Sequence, residues 1–138
     1  LPSWLHGING TALLDRFHGL LPGWELPRIS KESLCDGLAL KADYLGEILH
    51  DLRSRAEYLQ WIRDHSRSSG DIRDIVSVER IAAAFLKLLF PDLGCVTIRD
   101  FEEYCLAPAR ELRQRIRTQL ALMDPEYKAD LAEIAAHA

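Results

Sequence analysis

The residues best placed to do chemistry lie in the stretch Asp15-Arg16-Phe17-His18-Gly19, which runs into Leu21-Pro22-Gly23-Trp24-Glu25-Leu26-Pro27. The first segment reads as the end of a short helix. The second is too rich in Pro and Gly to be helix or strand, and Trp24 between two prolines pins the loop behind Arg16. An arginine held in this way can present a planar, permanently charged fork to phosphoryl oxygens as charge redistributes during transfer. The same residue also reads as a helix-terminal cation favoured by the macrodipole, and the residues alone leave both readings open. A second basic cluster lies at Arg110, Arg113, Arg115 and Arg117, opposed locally by Glu111. By spacing, Arg110, Arg113 and Arg117 share one helical face. That face suits nucleic-acid phosphates, or else solvent and acidic neighbours.

Self-sufficient catalysis is absent from the pattern. No G-x-x-x-x-G-K-(S/T) loop wraps phosphates, no acidic Mg²⁺ motif follows a strand, and no H-E-x-x-H is present. Ser30 and Lys31 are adjacent, but adjacency at a helix cap gives no nucleophile–base geometry. The histidines at 6, 18, 50, 65 and 137 are scattered, and His50 and His65 read as solvated helix positions. Cys35, Cys95 and Cys105 are an odd number without a C-x-x-C pair, so neither a metal site nor a disulfide framework is expected. They read as small buried hydrophobes or bystanders.

The elements that must hold these residues follow from periodicity. A chain of 138 residues with 48% apolar and 28% charged residues is one ordinary globular domain's worth, able to bury a core. Its net charge of −4 argues against a generally basic nucleic-acid binder. The longest apolar run, residues 81–90, is interrupted by Lys87 and too short for a bilayer, and no signal-peptide pattern is seen, so the cytoplasm is the default location. The opening Leu-Pro-Ser-Trp, in place of Met, suggests a piece of a longer protein.

The spacing predicts a helix over 11–18, a short turn over 31–36 capped by Ser30, and a first long helix over 39–55. Glu47, Asp51 and Arg55 form a surface i,i+4 ladder on that helix. A helix over 56–65 follows, then a loop over 66–71. A central core helix capped by Asp74 or Ser77 runs to about Leu89. Thr97 with Asp100 has capping-box spacing ahead of a helix over 98–123 that Pro108 kinks or splits. Asp124 and Pro125 open a last helix to about residue 136. Trp24, Tyr44, Trp61 and Phe85 are expected in the core. The fold class is all-α, with no convincing strand.

Several segments together resemble one family. Asp15-Arg16-Phe17-His18-Gly19 with Pro22-Gly23-Trp24-Glu25-Leu26-Pro27 is similar to a D-R-x-H-G and P-G-W-E-x-P pair in the Lon-related AAA+ ATPases of BREX phage-defence systems (BrxL). The stretch from Asp43-Tyr44-Leu45 to Leu52-Arg53 resembles its D-Y-L-A-E-x-L-x-x-L-R helix. The stretch Arg73-Asp74-Ile75-Val76-Ser77-Val78-Glu79-Arg80, with Leu86-Lys87-Leu88-Leu89-Phe90-Pro91, resembles its R-D-x-x-A-V and K-L-L-x-P run. Arg110, Arg115, Gln119 and Leu120 are similar, with looser spacing, to its R-x-R-V-K-x-Q-L run. These matches keep their order across most of residues 11–123.

The resemblance implies an AAA+ module cut after sensor 1, with residues 1–29 ending the core segment and 30–138 forming a helical lid. It implies Arg16 as an arginine finger reaching a neighbouring subunit's γ-phosphate in a homo-oligomeric ring. Arg73 and Arg80 would be the nucleotide-sensing residues, although Glu79 stands where relatives keep a basic residue. ATP and Mg would serve the intact protein but not this piece. Arg110, Arg113 and Arg117 would suit DNA, and other BREX components are the expected partners, with no membrane. The alternative is an all-helical interaction module, binding nucleic acid or protein, with no nucleotide role.

Overall fold

Helix signals and stop signals alternate closely enough in this sequence that no stretch is left to form a sheet. In the computed structural model, which describes residues 10–34, 36–66 and 70–128, every regular element is helical and no strand occurs among the described residues. The expected helix beyond residue 128, together with Cys35, His6 and His137, lies outside the described residues.

The described residues pack as two units, one falling within residues 1–20 and 58–138 and the other within residues 21–57. The Arg16 segment therefore belongs with the helices after residue 58.

The first unit opens with α1 (Gly10–Leu14). This helix ends earlier than its pattern suggested: the amides of Arg16 and Phe17 bond to the Leu13 and Leu14 carbonyls at 3.1 Å each, tightening the chain into a turn. Arg16 thus lies just past the helix and not on its last turn. Helix α3 (Glu57–His65) and helix α4 (Ile72–Leu89) carry most of one side of the core. The cap of α4 is Asp71, whose carboxylate accepts the Arg73 amide at 2.7 Å. Gly70, at φ 126°, supplies the left-handed turn that leads into it. Asp74 and Ser77, the expected caps, are instead buried within the helix. Phe90-Pro91 ends α4 as expected.

Thr97 caps α5 (Ile98–Phe101), accepting the Asp100 amide at 3.1 Å, while its hydroxyl donates to the Asp100 carboxylate at 2.7 Å. A π turn over Glu102–Leu106 joins α5 to α6 (Ala107–Met123). Pro108 explains it: its ring would strike the carbonyl four residues back in a regular helix, and widening the turn removes that clash without breaking the rod. The widening also lets Phe101, Cys105, Leu106 and Ala109 all reach the core.

That core joins Tyr58 and Ile62 of α3, Ala82, Ala83 and Leu86 of α4, and the π turn. The Tyr58 hydroxyl, on an otherwise buried ring, donates to the Phe90 and Pro91 carbonyls. Trp61 and Phe85 pack against this cluster as expected, and Trp61 meets the Phe101 ring edge-on at 5.2 Å. Cys105 is fully buried, and burial pushes its thiol up to about 11. Cys95 is exposed, and the two are free thiols.

The second unit holds short 3₁₀ turns at Gly23–Glu25 and Lys31–Ser33 and helix α2 (Ala42–Ser54). Trp24 exposes 80% of its surface and Tyr44 61%, so neither is the core residue its type suggested. The Asp51–Arg55 rung of the surface ladder is present at 3.1 Å. The Ser30 hydroxyl lies 3.4 Å from that of Ser33, an arrangement of a cap and not of a nucleophile with its base.

Candidate functional site

Arg113 sits in the middle of α6 and is only 2% exposed. A guanidinium removed from water in this way must satisfy its donors, because an uncompensated buried charge costs several kcal/mol. Its Nε donates to Asp74 Oδ1 at 2.6 Å and its Nη2 to Asp15 Oδ1 at 2.8 Å. Nη1 donates to two backbone carbonyls, Asp15 at 3.0 Å and Phe17 at 2.6 Å. Those carbonyls flank Arg16.

The network extends in both directions. Asp15 Oδ2 is bound by Nη1 of Arg73, and Asp74 Oδ2 lies 3.4 Å from Arg117 Nε. Charges therefore alternate along Arg73, Asp15, Arg113, Asp74 and Arg117, and the guanidinium of Arg117 also lies over the Tyr127 ring at 5.5 Å. Burial by itself would raise the Asp15 carboxyl, but hydrogen bonds and charge from Arg73 and Arg113 outweigh it and hold the group below the usual carboxylate range. Asp15 in turn raises Arg73.

The rest of the turn is fastened as firmly. His18 Nε2 lies 3.0 Å from Arg80 Nη1, so the imidazole accepts there and its proton sits on Nδ1. Burial, followed by the charges of Arg80 and Arg113, lowers the His18 pKa. Gly19 runs so close to α6 that an added Cβ would fall 2.9 Å from Leu112 Cβ and 3.1 Å from Ile81 Cδ1. The Leu20 amide then donates to the Leu112 carbonyl at 3.2 Å. In contrast, the Arg16 side chain is exposed, with no hydrogen bond or ion pair among the described residues.

The expected site residues thus divide. Arg73 and Arg80 lie two helical turns apart on α4 and both face residues 15–18, the turn that carries Arg16. Glu79 does not join them. Its carboxylate takes the Nε of Arg63 on α3 at 3.2 Å. Arg113 and Arg117 do share a helical face, but that face is buried, at 2% and 3% exposure. As the unit is packed, they are not surface cations available to a nucleic acid. Arg110 alone of the three is partly open, with Glu102 at 3.6 Å. Among the described residues, no group of three or more His, Cys, Asp or Glu side chains could hold a metal ion, and no helix is long and apolar enough to cross a membrane.

Sequence reasoning missed Asp15 and Asp74 as the anchors. A signal was present: Ala109, Arg113, Ile116 and Leu120 follow one another at helical spacing, so Arg113 stands in an apolar stripe and needs a buried anion.

Residues 2–133 match the family described as Lon-like protease BrxL-like, ATPase domain. Curated relatives include a Lon-like protease BrxL from Escherichia coli O9:H4 (strain HS), 35% identical over 112 residues that make up 80% of this chain. Another, from Bacillus cereus (strain H3081.97), is 30% identical over 112 residues, or 78% of the chain. The matched region spans 16% of the length of each of these relatives. No solved structure matches. With the sequence motifs, the all-helical unit and this match in agreement, the chain belongs to the BrxL-like ATPase-domain family.

Proposed function

We propose that this chain is the arginine-finger and lid part of an AAA+ ATPase module, and that Arg16 acts in trans on the nucleotide of a neighbouring subunit in a homo-oligomeric ring. One observation carries the reading: the neighbours of Arg16 are fixed by the buried Arg113 network, by Arg80 and by α6, while Arg16 itself projects without an ion pair among the described residues. A turn clamped on all sides of one exposed arginine suits presentation of that arginine to another molecule. A finger of this kind spreads its charge over the transferring phosphoryl group and contributes ~10³–10⁵ in rate.

ATP with Mg would supply the phosphoryl group in the intact protein. The chain's own residues would orient and sense it, Arg80 from α4 with Arg73 beside it. Residues 1–29 would end the core segment of the module and 30–138 would form its lid, whose work in the whole protein is remodelling of DNA or protein in phage defence, with other BREX components as partners. Proteolysis is not assigned to any residue here. The alternative, a helical interaction module without a nucleotide role, is weakened by the burial of Arg113 and Arg117 in the face that would have bound DNA.

The test is the ATPase rate of mixed rings of the full-length protein containing increasing fractions of Arg16→Ala. Activity falling faster than the mutant fraction supports action across subunits. A fall in simple proportion, or none, removes the finger and favours the interaction module.

A further inference from the structure

We propose that Arg113 is a positioning residue for Arg16, and that it acts by holding the two carbonyls on either side of the finger. The inference rests on the reading of Arg16 as a finger and adds to it the device that aims it. Nothing in the stretch 15–17 is regular structure that could fix a side chain by itself, since α1 has already ended at Leu14. What fixes it is one nitrogen, Nη1 of Arg113, shared between the Asp15 and Phe17 carbonyls at 3.0 and 2.6 Å. The two remaining nitrogens of the fork are held by carboxylates from different elements, Asp15 in the turn and Asp74 on α4. The fork is therefore oriented by α4, supported by α6, and clasps the backbone of the turn.

Only a guanidinium does all of this. A lysine at 113 would keep the positive charge between Asp15 and Asp74, but a single ammonium point cannot span two carboxylates and two carbonyls in one plane. The charge balance would survive while the aim of Arg16 was lost. Catalytic geometry is sensitive to such a change: a shift of about 1 Å in a positioned group costs on the order of 10²-fold. Gly19 offers a second, independent way to disturb the same turn, because its close approach to Leu112 and Ile81 leaves no room for a methyl group.

The experiment is a double-mutant cycle in the full-length ATPase, reading kcat and the KM for ATP in single-turnover and steady-state assays. Arg113→Lys should lower kcat on the order of 10²-fold with KM little changed. In an Arg16→Ala background the same substitution should have almost no further effect, because a misaimed finger and a missing one are alike. Full additivity of the two substitutions, or an Arg113→Lys enzyme at wild-type rate beside a slow Arg16→Ala enzyme, would overturn the positioning role and leave the finger standing. A wild-type rate for Arg16→Ala would instead remove the finger reading itself. Should Arg113→Lys fail to fold, Gly19→Ala takes its place in the same cycle, with the same non-additivity expected and additivity again the overturning result.

Discussion

Helix α2 sets Leu45, Ile48, Leu49 and Leu52 on one face at intervals of three and four, and α4 sets Val78, Ala82, Phe85 and Leu86 in much the same way. Yet α4 buries Asp74, Ser77, Ala82, Ala83 and Leu86, while α2 buries no residue at all. The apolar face of α4 meets the π turn and α6 within its own unit, elements that arrive later in the chain. Periodicity says which face of a helix is apolar, and tertiary partners decide whether that face leaves water. The contrast extends to charges. The Asp51–Arg55 pair is one rung of a solvated ladder, whereas the Arg113–Asp74 pair between α6 and α4 is enclosed, with Arg113 Nε bonded to Asp74 Oδ1 at 2.6 Å.

The sharpest way to break this comparison is to remove one partner from each pair. Arg113→Ala strands Asp15 and Asp74 without their shared cation and should cost about 3–5 kcal/mol in denaturant unfolding. Asp51→Ala should cost at most about 0.5 kcal/mol. Equal losses would mean that the burial difference has no energetic meaning. A second contrast is apolar. Leu86→Ala opens a cavity at a fully buried position and should lose about 2–5 kcal/mol. Leu49→Ala, at a position 41% exposed, should stay within about 1 kcal/mol, most of it the transfer of a partly covered side chain. A large loss at Leu49 would show the α2 face to be covered, and the comparison would fail there.

The helices were readable because their signals are local. Thr97, Pro91 and the three-four spacing act within a few residues of themselves, and the all-α class followed from them, whereas the cap of α4 proved to be Asp71 in place of the expected Asp74 or Ser77. The early end of α1 and the π turn were harder, since each is a compromise: α1 gives way to the turn that Arg113 clasps, and Pro108 was visible while the manner of relieving its clash was not. The network was least readable. Asp15, Asp74 and Arg113 lie on three elements far apart in sequence, and a charge on a helix reads by default as solvated. Asp74 was even a plausible cap for α4, and only the packing of α6 against that helix gives it a different role. Arg16 was singled out by its surroundings in sequence, but that its neighbours are held while it is exposed needed the structure.

Titration separates the two kinds of charge further. The folded-state carboxyl of Asp15 is depressed, so its contribution to stability is complete above the unfolded value near 3.8 and is lost as pH falls through the folded one. Stability of the wild-type chain should therefore drop in acid below about pH 4, and Asp15→Asn should flatten that limb after an overall loss. His18 gives the smallest effect. Its folded pKa is lowered by partial burial and by Arg80 and Arg113, so the unfolded state takes up its proton first. Stability linked to His18 is present above about pH 6.5 and weakens as pH falls toward the folded value, because a protonated ring can no longer accept from Arg80. His18→Gln keeps an acceptor for Arg80 without a titrating group, and should remove this shallow slope on the acid side of about pH 6.5. If the slope persists in the variant, the Arg80–His18 contact does not carry it.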